Sequence, residues 1–158
     1  MALTADKNTE TRGLPDGELR VAIATGQTLY VGGHAGRVKA TGRVKAAAAL
    51  ATEDYEGLVV AIEADSGIPT GVGVAAGTQF AVIQFGQEAL ATIKTAIRTS
   101  TSVGRTLFVG DDDSAAGTAV GTAAARRPMG ELVAFEASDK STGWVALRRP
   151  SVNGNIAV

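Results

Sequence analysis

Apolar positions in this chain recur at alternate residues over short runs, and glycine-rich breaks separate the runs. That rhythm predicts strands rather than helices. Leu19, Val21 and Ile23 alternate with Arg20 and Ala22 before Thr25-Gly26-Gln27. Thr28-Leu-Tyr-Val31 is a second β-forming run, stopped by Gly32-Gly33. Residues 37–40 and 42–45 read as a further pair of short strands about Thr41-Gly42. Ala46 to Thr52 favours helix by propensity, but two turns are marginal in isolation, so it reads as a turn or loop. Leu58 to Ile62 is a continuous apolar run that suits a buried strand. Residues 64–78 form a Gly-rich loop, followed by a strong strand over 79–86. Residues 88–97 carry both periods and read as a strand to about Ile93 and then a turn. Residues 104–109 make another strand, 110–114 a turn, and 115–125 an exposed loop. Residues 131–136 and 144–148 flank a long turn and close the chain as a hairpin. Roughly eight to ten short strands with regular turns predict an all-β fold, a small β-barrel or sandwich with few short helices.

The first 17 residues break this pattern. Thr4, Asp6, Lys7, Asn8, Thr9, Glu10, Thr11 and Arg12 follow in near succession, and the stretch ends at the Pro15-Asp16-Gly17 turn signal. It reads either as a frayed terminus or as an extended arm that orders on a partner. With no apolar h-region there, no secretory signal is expected.

Composition adjusts the picture in two ways. The 158 residues are 45% hydrophobic but only 4% aromatic, with much of the apolar content in alanine. At roughly 25 cal/mol per Å² an Ala-rich core stabilises modestly, so part of the stability is expected from association. The net charge of −1 is unlike the basic footprint of a nucleic-acid binder. No apolar run is long enough for a membrane helix, and the lack of cysteine excludes disulfides and thiolate metal sites.

Candidate chemistry is sparse. Gly71, Gly73 and Gly77 are spaced GxGxxxG rather than GxGxxG, with no long helix after them to hold a pyrophosphate. Asp111, Asp112 and Asp113 are consecutive at a strand end, lack the EF-hand pattern and read as a solvated turn. His34 is the only histidine and reads as part of a mobile glycine turn, with no nucleophile elbow in the chain. Glu53-Asp54 and Glu63/Asp65 read as surface charge, and Arg126-Arg127 and Arg148-Arg149 as small basic spots. No catalytic residue, metal site or cofactor is expected.

The opening Met1-Ala-Leu-Thr-Ala-Asp-Lys-Asn-Thr9 resembles the start of tailed-bacteriophage capsid decoration (cement, head-stabilising) proteins. Three later stretches are similar to the same family in the same order. They are Val21-Ala-Ile23-Ala-Thr-Gly26-Gln-Thr-Leu29-Tyr30-Val-Gly32-Gly33, Val103-Gly104-Arg-Thr-Leu107-Phe108-Val109-Gly110-Asp111-Asp112, and the closing pair Gly130–Phe135 with Gly143–Leu147. Residues 40–56, 64–78 and the tail after Arg149 depart from it. The resemblance implies a β-barrel or β-tulip-like domain on the outer capsid surface of the virion, made in the host cytoplasm. It also implies a homotrimer at three-fold and quasi-three-fold positions that binds the expanded shell of major capsid protein and stabilises it against internal DNA pressure.

On that basis residues 1–17 are expected to be the capsid-binding arm, 18–149 the decoration domain and 150–158 a tail. Thr4, Ala5, Asp6, Lys7, Asn8, Thr9 and Arg12 are the expected arm contacts. The arm would add backbone hydrogen bonds to a sheet edge on the shell, with Lys7, Arg12 and Arg20 pairing to acidic groups there. Tyr30, Phe80 and Trp144 are expected in the core or at trimer contacts. Nucleic acid and membrane are not expected partners. A virion-attached head module that binds host protein or glycan is the rival reading, and a small β-fold hydrolase ranks last.

Overall fold

The computed structural model describes residues 2–48, 53–111, 114–116 and 128–148. Among the described residues, eleven strands form two sheets. In chain order they are β1 Thr11–Arg12, β2 Gly17–Ala22, β3 His34–Val38, β4 Val44–Ala46, β5 Glu53–Ala64, β6 Gln79–Phe85, β7 Glu88–Ile93, β8 Thr106–Asp111, β9 Ser114–Ala116, β10 Pro128–Phe135 and β11 Thr142–Leu147. Two 3-10 turns, Thr95–Ile97 and Ser100–Ser102, link β7 to β8.

Strands β7, β11, β10, β8 and β9 pair in that order, and β9 returns to pair in parallel with β7 through Thr92↔Ser114 and Ile93↔Ala115. The result is a closed five-stranded β-barrel. Closure removes the open edges that would otherwise invite aggregation. The period-two pattern decides which side chains enter. Ala89, Ala91 and Ile93 of β7, Leu107 and Val109 of β8, Met129 and Leu132 of β10, and Val145 and Leu147 of β11 fill the interior. Ala89, Ala91 and Ala115 leave room for the larger Ile93, Leu107, Met129 and Leu132 inside the narrow barrel.

The other sheet has the order β2-β6-β5-β3-β4. It curls until Ile23, just beyond β2, makes a parallel bridge to Val44 at the start of β4, where the Ala24 amide donates to the Val44 carbonyl at 2.7 Å. Ile23, Leu29, Ala35, Val44, Val59, Ala81 and Ile83 make its own core. Strand β5 joins the two bodies, because Tyr55 and Leu58 pack into the barrel core while Val59 packs into the second. Leu58 and Val59 face opposite ways by plain alternation, and a β-bulge brings Tyr55, three residues before Leu58, to the barrel face as well. Against β3 the register runs Gly57↔Ala35 and then Tyr55↔Gly36, which leaves Glu56 without an opposite residue. Gly57 has φ 148°, and a Cβ there would meet the Gln84 carbonyl oxygen at 2.4 Å.

Most expected strands are present within a few residues, and three expectations change. Thr28–Val31 is not a strand, since only Thr28 bridges, to Val72. His34 does not sit in a mobile turn but begins β3 and is 2% exposed. Ala115 is not in an exposed loop: it is buried in β9, which closes the barrel. The Gly-rich segment after β5 is a loop as expected, and it is tied down. The Gln79 amide holds the Thr70 N–H and the Ile68 carbonyl, while Arg43 donates to the carbonyls of Val74 and Ala75, both at 3.1 Å. Residues 117–127 and the tail 150–158 lie outside the described residues.

Candidate functional site

Residues 2–16 run in extended form across the outside of both bodies. No residue of the segment belongs to either core, yet it is held along its length. The Asp6 carboxylate accepts from the Val31 amide at 2.9 Å, and the Lys7 amide donates to the Val31 carbonyl at 2.8 Å. The Thr9 hydroxyl donates to the Gly32 carbonyl at 2.6 Å. Further along, the Leu90 amide donates to the Glu10 carbonyl at 2.9 Å, and β1 pairs with β7 as Thr11↔Ala89 and Arg12↔Glu88. The arm and β9 therefore share one edge of β7. Glycine is required at position 32, because a Cβ there would meet the Lys7 carbonyl oxygen at 1.8 Å and φ is +85°.

The expected arm residues are thus together along the chain's own body; Thr4, Ala5, Asp6, Asn8 and Arg12 stay exposed on it. Thr4, Ala5 and Asp6 line an open groove of about 480 Å³ with Leu29, Tyr30, Val31, Ile62 and Pro69. Asn8 is exposed, while Lys7 and Thr9 are half-buried. Arg12 forms an ion pair with Glu88, and its guanidinium carbon lies 4.3 Å from the centre of the Trp144 ring. Arg20 is also engaged within the chain. It pairs with Glu63 at 2.7 Å and Asp65 at 3.1 Å, and these contacts raise its pKa above the ordinary range. Sequence alone left Arg12 and Arg20 for an acidic partner, because it cannot show that β1 and β2 place them opposite carboxylates far along the chain.

None of the three singled-out aromatics belongs to either core cluster. Tyr30 borders the groove beside the arm. Phe80 is half-buried under the Arg20 guanidinium, 3.7 Å from the ring centre. Trp144 is 8% exposed, packed under Arg12, and its indole N–H donates to Glu136 at 2.6 Å. Its neighbours Gly143 and Val145 face the barrel interior, so strand alternation turns Trp144 outward. The Trp144 ring is therefore buried on the outer face of the barrel, under Arg12 of the arm.

Sequence reading also missed a buried polar cluster at the β3–β5 seam. Asp54, taken there for surface charge, is buried and lies 3.6 Å from Lys39. The bulged Glu56 is 2% exposed and forms an ion pair with Arg37. Beside it, His34 Nδ1 and the Tyr55 hydroxyl are 2.9 Å apart, and burial pushes the Tyr55 pKa well up. β5 is buried on both of its faces from Asp54 to Val59, so a carboxylate there is enclosed whichever way it points. At the other end of the barrel, Asp111 accepts from Ser114 at 2.7 Å and lies 3.6 Å from Lys94. Asp112 and Asp113 lie outside the described residues. Among those described, no group of three or more His, Asp or Glu is placed to hold a metal ion.

Burial raises the Glu56 pKa above its ordinary 4.5, Arg37 opposes that shift, and nearby Asp54 adds to it. A carboxyl whose folded-state pKa is raised favours the fold while protonated. Its contribution is complete below its unfolded value and is lost as pH rises through the folded one. The expected result is that Glu56→Gln gains stability relative to the native protein as pH rises from about 4 towards 7. Urea unfolding of both proteins across that range measures it, and a pH-independent difference would refute it.

Comparison with known proteins finds no matching family model, no matching curated protein and no matching solved structure.

Proposed function

We propose that this protein is a capsid decoration protein that attaches to the outer surface of an expanded tailed-phage head, as a trimer at three-fold and quasi-three-fold positions, and stabilises the shell. The observation that carries the reading is the division of labour in the chain. A closed barrel and a rolled sheet form the body, and a polar extended segment lies outside both cores. Such a segment is suited to strand addition on a partner's sheet edge, where backbone hydrogen bonds supply affinity. Three arms on a trimer would bind together, and linkage raises avidity by about 10² to 10⁴ over one arm. The order of family-like stretches, beginning with Met1–Thr9, supports the same reading.

The test is to mix purified protein with expanded, undecorated heads and image them. Added density at the three-fold positions is the expected result, and bare shells at saturating protein would refute the proposal. One observation favours a second reading, binding of a glycan or host protein. The groove beside Tyr30 carries Thr4, Asp6 and Thr70, an aromatic with polar neighbours. A glycan-array signal abolished by Tyr30→Ala, together with bare shells, would select that reading instead.

A further inference from the structure

We propose that the arm is a latch, in which docking on the chain's own β7 edge competes with binding to the shell. This inference rests on the decoration reading and adds a regulation to it. The backbone groups that strand addition would use are already engaged. The Lys7 amide is bonded to Val31, the Glu10 carbonyl to Leu90, and Thr11–Arg12 to β7. One segment cannot make both sets of bonds at once, so the shell captures only molecules whose arm has left its groove. The measured affinity for the shell is then the intrinsic affinity reduced by the fraction of open molecules.

The means of opening are also present. Arm and body are joined by Gly13-Leu14-Pro15. Gly13 has φ +78° with nothing within 4 Å of a would-be Cβ, and Leu14 is 89% exposed. The body resumes at Asp16, whose amide donates to the Phe85 carbonyl at 2.8 Å. A rotation in the linker would swing the arm away without disturbing either core. The contacts that resist it are individually weak. They are a two-residue strand, a few hydrogen bonds and a partly exposed Arg12–Glu88 pair of the kind that typically shifts an equilibrium by no more than about fivefold. Release would uncover Trp144, the only tryptophan in the chain, so its fluorescence reports the latch directly.

Two body-side changes shift the latch, and one pair of cysteines locks it. Glu88→Gln removes the partner of Arg12, and Glu88→Arg replaces attraction with repulsion. Both are expected to red-shift the Trp144 emission and to tighten binding to undecorated expanded heads, by about two- to fivefold and up to about tenfold respectively. In a chain without native cysteines, Arg12→Cys with Glu88→Cys places two thiols at directly opposed antiparallel positions, a separation that a disulfide can bridge. The comparison is between the two redox forms of this one variant, Arg12 being absent from both: the oxidised form is expected to bind shells at least about tenfold more weakly than the reduced form. If the oxidised and reduced forms bind equally tightly, or if Glu88→Arg releases the arm without tightening binding, the latch is wrong and the decoration reading stands. If the native protein, Glu88→Gln and the reduced pair all leave shells bare, the decoration reading falls and the latch falls with it.

Discussion

Replacing Arg37 with alanine is expected to destabilise the fold by about 3–5 kcal/mol at neutral pH, because it strands a buried carboxylate. Glu56 is 2% exposed, and Arg37 is its ion-pair partner. With the guanidinium gone, the charge loses its counterion, and burial together with nearby Asp54 continues to disfavour it. The carboxyl would respond by taking up a proton, so the Arg37→Ala protein should recover stability as pH is lowered towards the ordinary carboxylate range. The double change Arg37→Ala with Glu56→Gln removes the charge altogether. It should restore much of the loss, which gives a coupling of about 2 kcal/mol or more in a double-mutant cycle. Urea unfolding of the four proteins at neutral pH measures this. Additive effects would show that the pair does not act as a unit and that Arg37 matters only through packing.

Deleting residues 1–14 is expected to weaken binding to expanded heads by at least about 10², the low end of what linked arms contribute. The body should survive, since no residue before Ile23 lies among the buried members of either core. It should not survive unchanged. The Leu90 amide, the Glu88–Ala89 stretch of the β7 edge and the face of Trp144 all lose their cover. The truncated protein should therefore show a red-shifted tryptophan emission, faster exchange of the Leu90 amide and a greater tendency to associate through the opened edge. A truncated protein that saturates heads at native affinity would exclude the arm as the attachment device.

These two experiments probe features of different legibility. The arm was visible in the sequence because its polar run has no strand period. Its resting place was not, since pairing of Thr11–Arg12 with Glu88–Ala89 joins positions far apart in the chain. Glu56 was invisible for a related reason. Alternation marks a solvent face only where one face of a strand is open, and β5 is covered on both faces from Asp54 to Val59 by segments distant in the chain.

The sequence by itself determined that the chain is all-β, where most strands begin and end, and that a polar segment precedes the first long strand. Those are local properties, set by side-chain period, β-branched runs and glycine turns acting over a few residues. Only the tertiary structure decided that β9 closes the barrel on β7, that Trp144 faces outward beneath Arg12, and that a carboxylate is buried at the seam. Each of these depends on which distant segments meet, and short-range pattern carries no information about such encounters.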